Sequence, residues 1–151
     1  MTSHARPAYF LDLNVVIDYL TQRQPWYPAA KALFQAEAQE RLDLYVSADS
    51  ISTLFYTIQK GLTRKKATVA IEILLKRIRI APVTQSVIER AFRMGLPDLE
   101  DGIQAATALE ARIPVLVTRD PKDFEGVDAK LQILAPGIAA AALLHGTRKK
   151  G

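Results

Sequence analysis

Two short apolar runs, far apart in the chain, each lead into an aspartate. Ala8-Tyr9-Phe10-Leu11 ends at Asp12, and Val115-Leu116-Val117 passes through Thr118 and Arg119 to Asp120. A third acidic group, Asp98-Leu99-Glu100-Asp101, opens a helix-like stretch just before the second run. In an open α/β sheet, ligands sit beyond the carboxyl ends of the strands. Carboxylates placed there from distant segments can therefore meet. Gathered at one point they repel one another unless a cation neutralises them. These residue types point to a hard-metal site, Mg²⁺ or Mn²⁺, on a small α/β scaffold.

Each acid also has a plainer use. Asp12, between a strand and a helix, is placed to ligate a metal and equally to cap the helix. Asn14 can hold Asp12 through its side chain or serve as the cap itself. Asp98 and Asp101 are three apart, so on a helix they share a face, and Glu100 is expected to point elsewhere. The helix dipole alone would favour acids in that first turn. Period-two alternation puts Thr118 and Asp120 on one side of an extended chain. A hydroxyl beside a carboxylate can orient a water or a phosphate oxygen. Pro121 enforces a turn, Phe124 packs back on the core, and Asp123 caps or reaches the pocket. A plain β-turn opening on Asp would leave the same trace.

The 151 residues suit one domain, and 49% hydrophobic with 24% charged residues is an ordinary globular balance. There are no cysteines, which excludes disulfides, thiolate zinc sites and cysteine nucleophiles and fits a reducing cytoplasm. The two histidines, His4 and His145, stand near opposite ends, against a histidine triad or zinc site. The first residues lack the apolar core of a signal peptide. The longest uncharged run, 131–147, is interrupted by Pro136, Gly137 and Gly146, so no membrane span is expected. The net charge is +4, with basic groups at Arg64-Lys65-Lys66, at Lys76-Arg77 with Arg79, and at Arg148-Lys149-Lys150. Beside an acidic pocket these suit a polyanionic substrate. By charge alone, a solvated helix face and a frayed basic tail over about 146–151 account for them.

The elements that must position the acids follow from periodicity and punctuation. Strands are expected at 9–11, 42–46, 78–81, 115–117 and 131–134. Helices are expected at 14–20, 29–41, 51–59, 64–76, from Thr84 through Met94, at 99–111 and at 136–144. Ser50, Thr63, Thr84 and Asp98 are the expected N-caps, and Gly61 sits at a helix C-terminus. The small second turn of the acidic helix, with Gly102, Ala105, Ala106 and Ala108, allows close packing on the sheet. Alternating strands and helices imply a three-layer α/β/α sandwich around a mostly parallel sheet of four to five strands, in a single domain over 1–151.

The combination and order of these signals resemble the PIN domain, a family of metal-dependent nucleases that includes the VapC-type toxins of bacterial toxin–antitoxin pairs. Four stretches carry the resemblance. Phe10-Leu11-Asp12-Leu13-Asn14-Val15-Val16-Ile17-Asp18 is similar to the family's opening strand with its Asp-x-Asn. Val46-Ser47-Ala48-Asp49-Ser50-Ile51-Ser52-Thr53-Leu54 is similar to the second strand and following helix. Asp98-Leu99-Glu100-Asp101-Gly102-Ile103-Gln104-Ala105-Ala106-Thr107-Ala108 resembles the acidic helix start. Thr118-Arg119-Asp120-Pro121-Lys122-Asp123-Phe124 resembles the closing Thr-x-Asp/Asn motif. The resemblance spans about residues 9–144.

It implies an endoribonuclease that uses Mg²⁺ or Mn²⁺, with Asp12, Asp101 and Asp120 as the principal acids. Asp98 would be an accessory acid, Thr118 the hydroxyl, and Asn14 an aid in positioning water or a carboxylate. It also implies single-stranded RNA as substrate, an antitoxin protein as partner, a homodimer, and a cytoplasmic setting. One position departs from the family. An acid, commonly Glu, is expected early in the helix after the second strand, and here Thr53 stands there. Asp49 is the nearest acid and could substitute. Without compensation, the chain would be a catalytically weak or inactive PIN-fold module that binds RNA or protein.

Other acidic α/β classes fit less well. A phosphate-signalling receiver needs an Asp ending its third strand, and this one ends Ile80-Ala81-Pro82. A haloacid-dehalogenase-type phosphatase needs Asp-x-Asp where this chain has Asp12-Leu13-Asn14. No glycine-rich phosphate loop is present.

Overall fold

The structure is a computed structural model that describes the backbone of residues 6–148 and side chains through residue 144. Five strands form one sheet: β1 (Ala8–Leu11), β2 (Asp43–Ser47), β3 (Arg79–Ala81), β4 (Val115–Val117) and β5 (Gln132–Leu134). All neighbours pair in parallel, in the order β3-β2-β1-β4-β5. The helices are α1 (Leu13–Thr21), α2 (Tyr27–Ala38), α3 (Ser50–Gly61), α4 (Arg64–Leu75), α5 (Gln85–Met94), α6 (Leu99–Glu110) and α7 (Pro136–Arg148).

Strand alternation sorts the core into two faces. Tyr9, Leu11, Leu44, Val46, Val115 and Val117 face a layer built from α1, α2, α3, α4 and α7. Phe10 and Leu116 face the other way, onto Ala105 and Ala108 of α6 and onto Phe124. Strands this short, buried on both faces, read as continuous apolar runs, which is why the alternation was hidden in the sequence. The Tyr9 hydroxyl donates to the Ala139 carbonyl at 2.9 Å and ties the sheet to α7.

Chain direction makes the crevice. β1 is central: the chain builds outward to β2 and β3 on one side, then returns to build β4 and β5 on the other. The carboxyl ends of β1 and β4 are therefore adjacent at the switch point, the place where such sheets bind ligands. The Asp12 amide still bonds the Val117 carbonyl at 2.9 Å, so the sheet ladder carries the chain right up to the first acid.

Thr63, Thr84 and Asp98 cap α4, α5 and α6 with their side chains, as expected. Other ends differ. α3 starts at Ser50 itself, with Asp49 as N-cap and no side-chain cap bond. The Ser50 hydroxyl instead lies 2.7 Å from the buried Ser47 hydroxyl, turned back toward the strand it follows. Gly61 is the last residue of α3, which ends through extended Leu62 rather than a left-handed glycine. That device belongs to Gly95, at φ +69°, after α5. α2 begins two residues earlier than expected because Pro28 fits the first turn, where an amide has no helical partner. α7 continues to Arg148, past the expected end at 144. The rest of the expected basic tail, 149–151, lies outside the described residues.

The small residues of α6 serve two neighbours rather than the sheet alone. Ala105 and Ala108 meet the sheet, whereas Ala106 packs with Val87 and Ala91 of α5. A Cβ added at Gly102 would meet only the Ala91 carbonyl oxygen at 3.5 Å and its Cβ at 3.7 Å, ordinary van der Waals contact. Gly102→Ala should therefore stabilise the fold by about 0.5–1 kcal/mol through helix propensity. Urea denaturation would check it. A fall in the midpoint would mean that α5 and α6 need the closer approach.

Candidate active site

Asp12 follows β1 directly and is 7% exposed. Both of its carboxylate oxygens are engaged by neutral donors. The Thr118 hydroxyl, just past β4, donates to Oδ2 at 2.7 Å, and Gln104 Nε2 of α6 donates to Oδ1 at 3.0 Å. Thr118 in turn accepts the Asp120 amide at 3.1 Å. Burial pushes the Asp12 carboxyl above its ordinary range. Thr118 and then Gln104 pull it back, with smaller help from the amides of Asn14 and Leu13. Asp12 is the N-cap of α1 by position, yet it forms no side-chain cap bond.

Asp101 sits in the first turn of α6, where its amide bonds the Asp98 carboxylate at 3.1 Å. Its carboxyl is pushed up to about 7, first by burial and then by Asp12, Asp98, Asp123 and Glu100. Among the described residues, the charges that shift it are all carboxylates. Glu100 is likewise raised by burial and by Asp98, Asp49 and Asp12. Glu100 itself is exposed. From α6, Gln104 touches Asp12, and Asp101, three residues earlier, shares its face.

The expected residues are brought together unequally. Asp12 and Thr118 touch. Asp101, Asp98 and Asp49 join them through the field of the acids. Asp120 meets the group through its backbone: its amide is held by Thr118, and its side chain is exposed. The chain does not stay extended past Thr118 but turns into a 3-10 segment, Pro121–Phe124, and Asp123 is the acid of that turn that acts on Asp101. The Asn14 side chain makes neither expected bond, and its buried Oδ1 has no partner. Thr53 is exposed on α3, with its carbonyl accepting the Thr57 hydroxyl at 2.8 Å. Gln104 was not expected. Its signal was its place three residues after Asp101, a polar side chain in an otherwise small apolar stretch.

Arg119, between Thr118 and Asp120 in the chain, is already paired. Arg119 Nε lies 2.9 Å from the Oδ2 of Asp18, which is 1% exposed, and the guanidinium stands 4.2 Å from the Trp26 ring centroid. The Asp18 contact lacks hydrogen-bond alignment and acts as a charge pair. Burial raises Asp18 while Arg119, then Arg23, lower it. Arg119 thus serves α1 rather than the acids around Asp101.

Hard oxygen donors, an Asp12 carboxylate fixed by neutral partners, and mutual repulsion without a cation fit a divalent metal. Among the described residues, no three acids or histidines stand close enough to cage an ion by themselves. Mg²⁺ keeps several of its waters in protein sites, so its carboxylates need not close a cage around it.

A fully parallel sheet gathering carboxylates at its switch point defines the class: an α/β protein with an acidic site suited to a hard cation. The PIN domain family model matches residues 8–122, and the chain belongs to that family. It is 25% identical to ribonuclease VapC1 of Aquifex aeolicus over 127 residues, 81% of this chain and 87% of that one. The fold is similar to the DNA-bound VapBC complex of Salmonella typhimurium, at TM-score 0.67 and 17% identity, covering 86% of this chain and 98% of that chain. It is also similar to FitAcB of Neisseria gonorrhoeae, at 0.64 and 24%, covering 85% and 97%. VapC20 of Mycobacterium tuberculosis, a sarcin-ricin-loop-cleaving toxin, matches at 0.58 and 16%, covering 72% and 86%. Among the described residues, no helix is long and apolar enough to cross a membrane.

The Asp101 carboxyl has a consequence in metal-free protein. Its pKa of about 7 lies above the ordinary 3.8, so the folded state holds the proton more tightly than the unfolded chain. The resulting stability is fully present below the ordinary value and is lost as pH rises through 7. Metal-free Tm should fall between pH 5 and 8, and Asp101→Asn should flatten that slope and raise Tm at pH 8. Differential scanning fluorimetry in a chelator would read it. An unchanged slope would move the charge strain elsewhere.

Proposed function

We propose that this chain is a Mg²⁺- or Mn²⁺-dependent endoribonuclease that hydrolyses phosphodiester bonds of single-stranded RNA, and that it is the toxin of a type II toxin–antitoxin pair in the cytoplasm. The observation that carries the reading is the uncompensated carboxylate group around Asp12 and Asp101 at the switch point of the sheet. The ribonuclease name of the VapC1 relative and the VapBC complexes among the similar structures support substrate and partner.

Asp12, Asp101 and Asp120 would hold the ion, with Asp98 as an accessory acid. A divalent cation held there would supply a water of lowered pKa as nucleophile and charge neutralisation for the reacting phosphate. Thr118 fixes Asp12 from one side, and Asn14, whose Oδ1 has no protein partner, offers an oxygen to a water. No side-chain nucleophile is needed, in keeping with a chain that has no cysteine. In this reading the missing acid at Thr53 is offset by Asp49 or Asp98, both of which raise the Glu100 carboxyl.

Adding Mn²⁺ or Mg²⁺ at about 100 times its Kd should stabilise the protein by about 2.7 kcal/mol. The metal should also permit cleavage of a labelled single-stranded RNA that a chelator stops. Asp12→Asn should abolish both effects while melting cooperatively without metal. Stabilisation without cleavage would favour the binding-module reading, and neither effect would overturn the metal site.

The protein also pairs with itself through α4 in this reading. Ala67, Ile71 and Leu74 bury one face of that helix, while Val69 and Ile73 remain 48% and 56% exposed. Light scattering at high micromolar concentration should give a dimer mass, and Val69→Lys with Ile73→Lys should give a monomer. A wild-type monomer would exclude self-pairing.

A further inference from the structure

Gln104 is 1% exposed, in a stretch of α6 whose other buried residues are Gly102, Ala105, Ala106, Thr107 and Ala108. A buried amide is retained only where its donor and acceptor are both satisfied. Here each end reaches a different part of one neighbour: Nε2 donates to Asp12 Oδ1 at 3.0 Å, and Oε1 accepts the Leu13 amide at 3.1 Å. Leu13 is the first residue of α1, so its amide is one of those that no helical carbonyl satisfies. Asp12, at the N-cap, forms no side-chain cap bond of its own. Gln104 takes the Leu13 amide with its oxygen and holds Asp12 with its nitrogen, so one side chain ties the start of α1 and the carboxylate together.

We propose that Gln104 is a positioning residue, acting through Asp12, that sets the affinity of the site for a divalent cation. The proposal rests on the metal reading above. Two features make the amide suited to this. It is neutral, so Asp12 keeps its charge for the ion, where a lysine or arginine at 104 would compete with it. It also reaches the oxygen opposite the one Thr118 holds, so the two donors together fix the rotation of the carboxylate. Partners that orient a ligand typically contribute about 10–100-fold in metal affinity.

The test is Mn²⁺ binding, counted as free ion by electron paramagnetic resonance, on the full chain. Gln104→Met is close in volume and removes both bonds. It should bind Mn²⁺ at least tenfold more weakly while its metal-free melt stays cooperative. Thr107→Val is the structural control: Thr107 is equally buried on α6, but its hydroxyl bonds only the Ile103 carbonyl at 2.6 Å, and its affinity should equal wild type. In an Asp12→Asn background, Gln104→Met should cost nothing more. In wild-type protein, which needs no substitution to fold, the Gln104 side-chain amide resonances should shift on Mg²⁺ titration with the midpoint of metal binding. Wild type that binds no Mn²⁺ would overturn the metal reading. Wild type that binds while a folded Gln104→Met binds equally, or while the Gln104 resonances stay fixed, would overturn this proposal and leave that reading standing.

Discussion

The Asp12 carboxylate is charged, nearly sealed from water, and held by a hydroxyl and an amide that carry no charge. Burying a carboxylate is costly unless something offsets the lost hydration, and two neutral hydrogen bonds offset only part of it. The remainder appears as a raised pKa at Asp12; Asp101 is raised as well, first by its own burial and then by Asp12. Much of the surrounding architecture serves to keep these groups where they repel. β1 and β4 must be neighbours for Thr118 to reach Asp12. α6 must lie against the sheet on alanines for Gln104 to do so.

The net charge is +4, yet among the described residues the charges that shift Asp101 are all negative. Arg119 is the informative case, since it sits between Thr118 and Asp120 in sequence. Its guanidinium turns to Asp18 and Trp26, where it ties α1 to the start of α2. An arginine turned the other way would have relieved the carboxylates internally, and the site would have lost its demand for an external cation. Structural ion pairing and the acidic site are thus separated by the direction of one side chain.

Most of the fold was legible because its signals were local. Strand runs, threonine and aspartate caps at Thr63, Thr84 and Asp98, and the alternation of elements each depend on residues within a turn of one another. Asp12 and Thr118 were legible as chemistry because both end strands. What stayed hidden depends on how elements meet. Asp98 was read as sharing a helix face with Asp101, but it is the N-cap and accepts the Asp101 amide, and the α6 side chain that reaches Asp12 is Gln104. The Asn14 side chain was given a partner that the structure gives to Gln104. Nothing local distinguishes a glutamine on a core-facing helix from one in solvent until the opposite strand end is in place.

Where the family is expected to carry an acid, this chain has Thr53, an exposed neutral side chain on α3. Carboxylates at the starts of two helices remain: Asp98, at the N-cap of α6, and Asp49, at the N-cap of α3, both raise the Glu100 carboxyl after its own burial, as Asp12 does. A Coulomb interaction depends on distance and medium and not on which element carries the charge. Acids in such a site can be exchanged between helices as long as the central carboxylate stays fixed, and the residues that fix it, Thr118 and Gln104, are then the harder ones to replace.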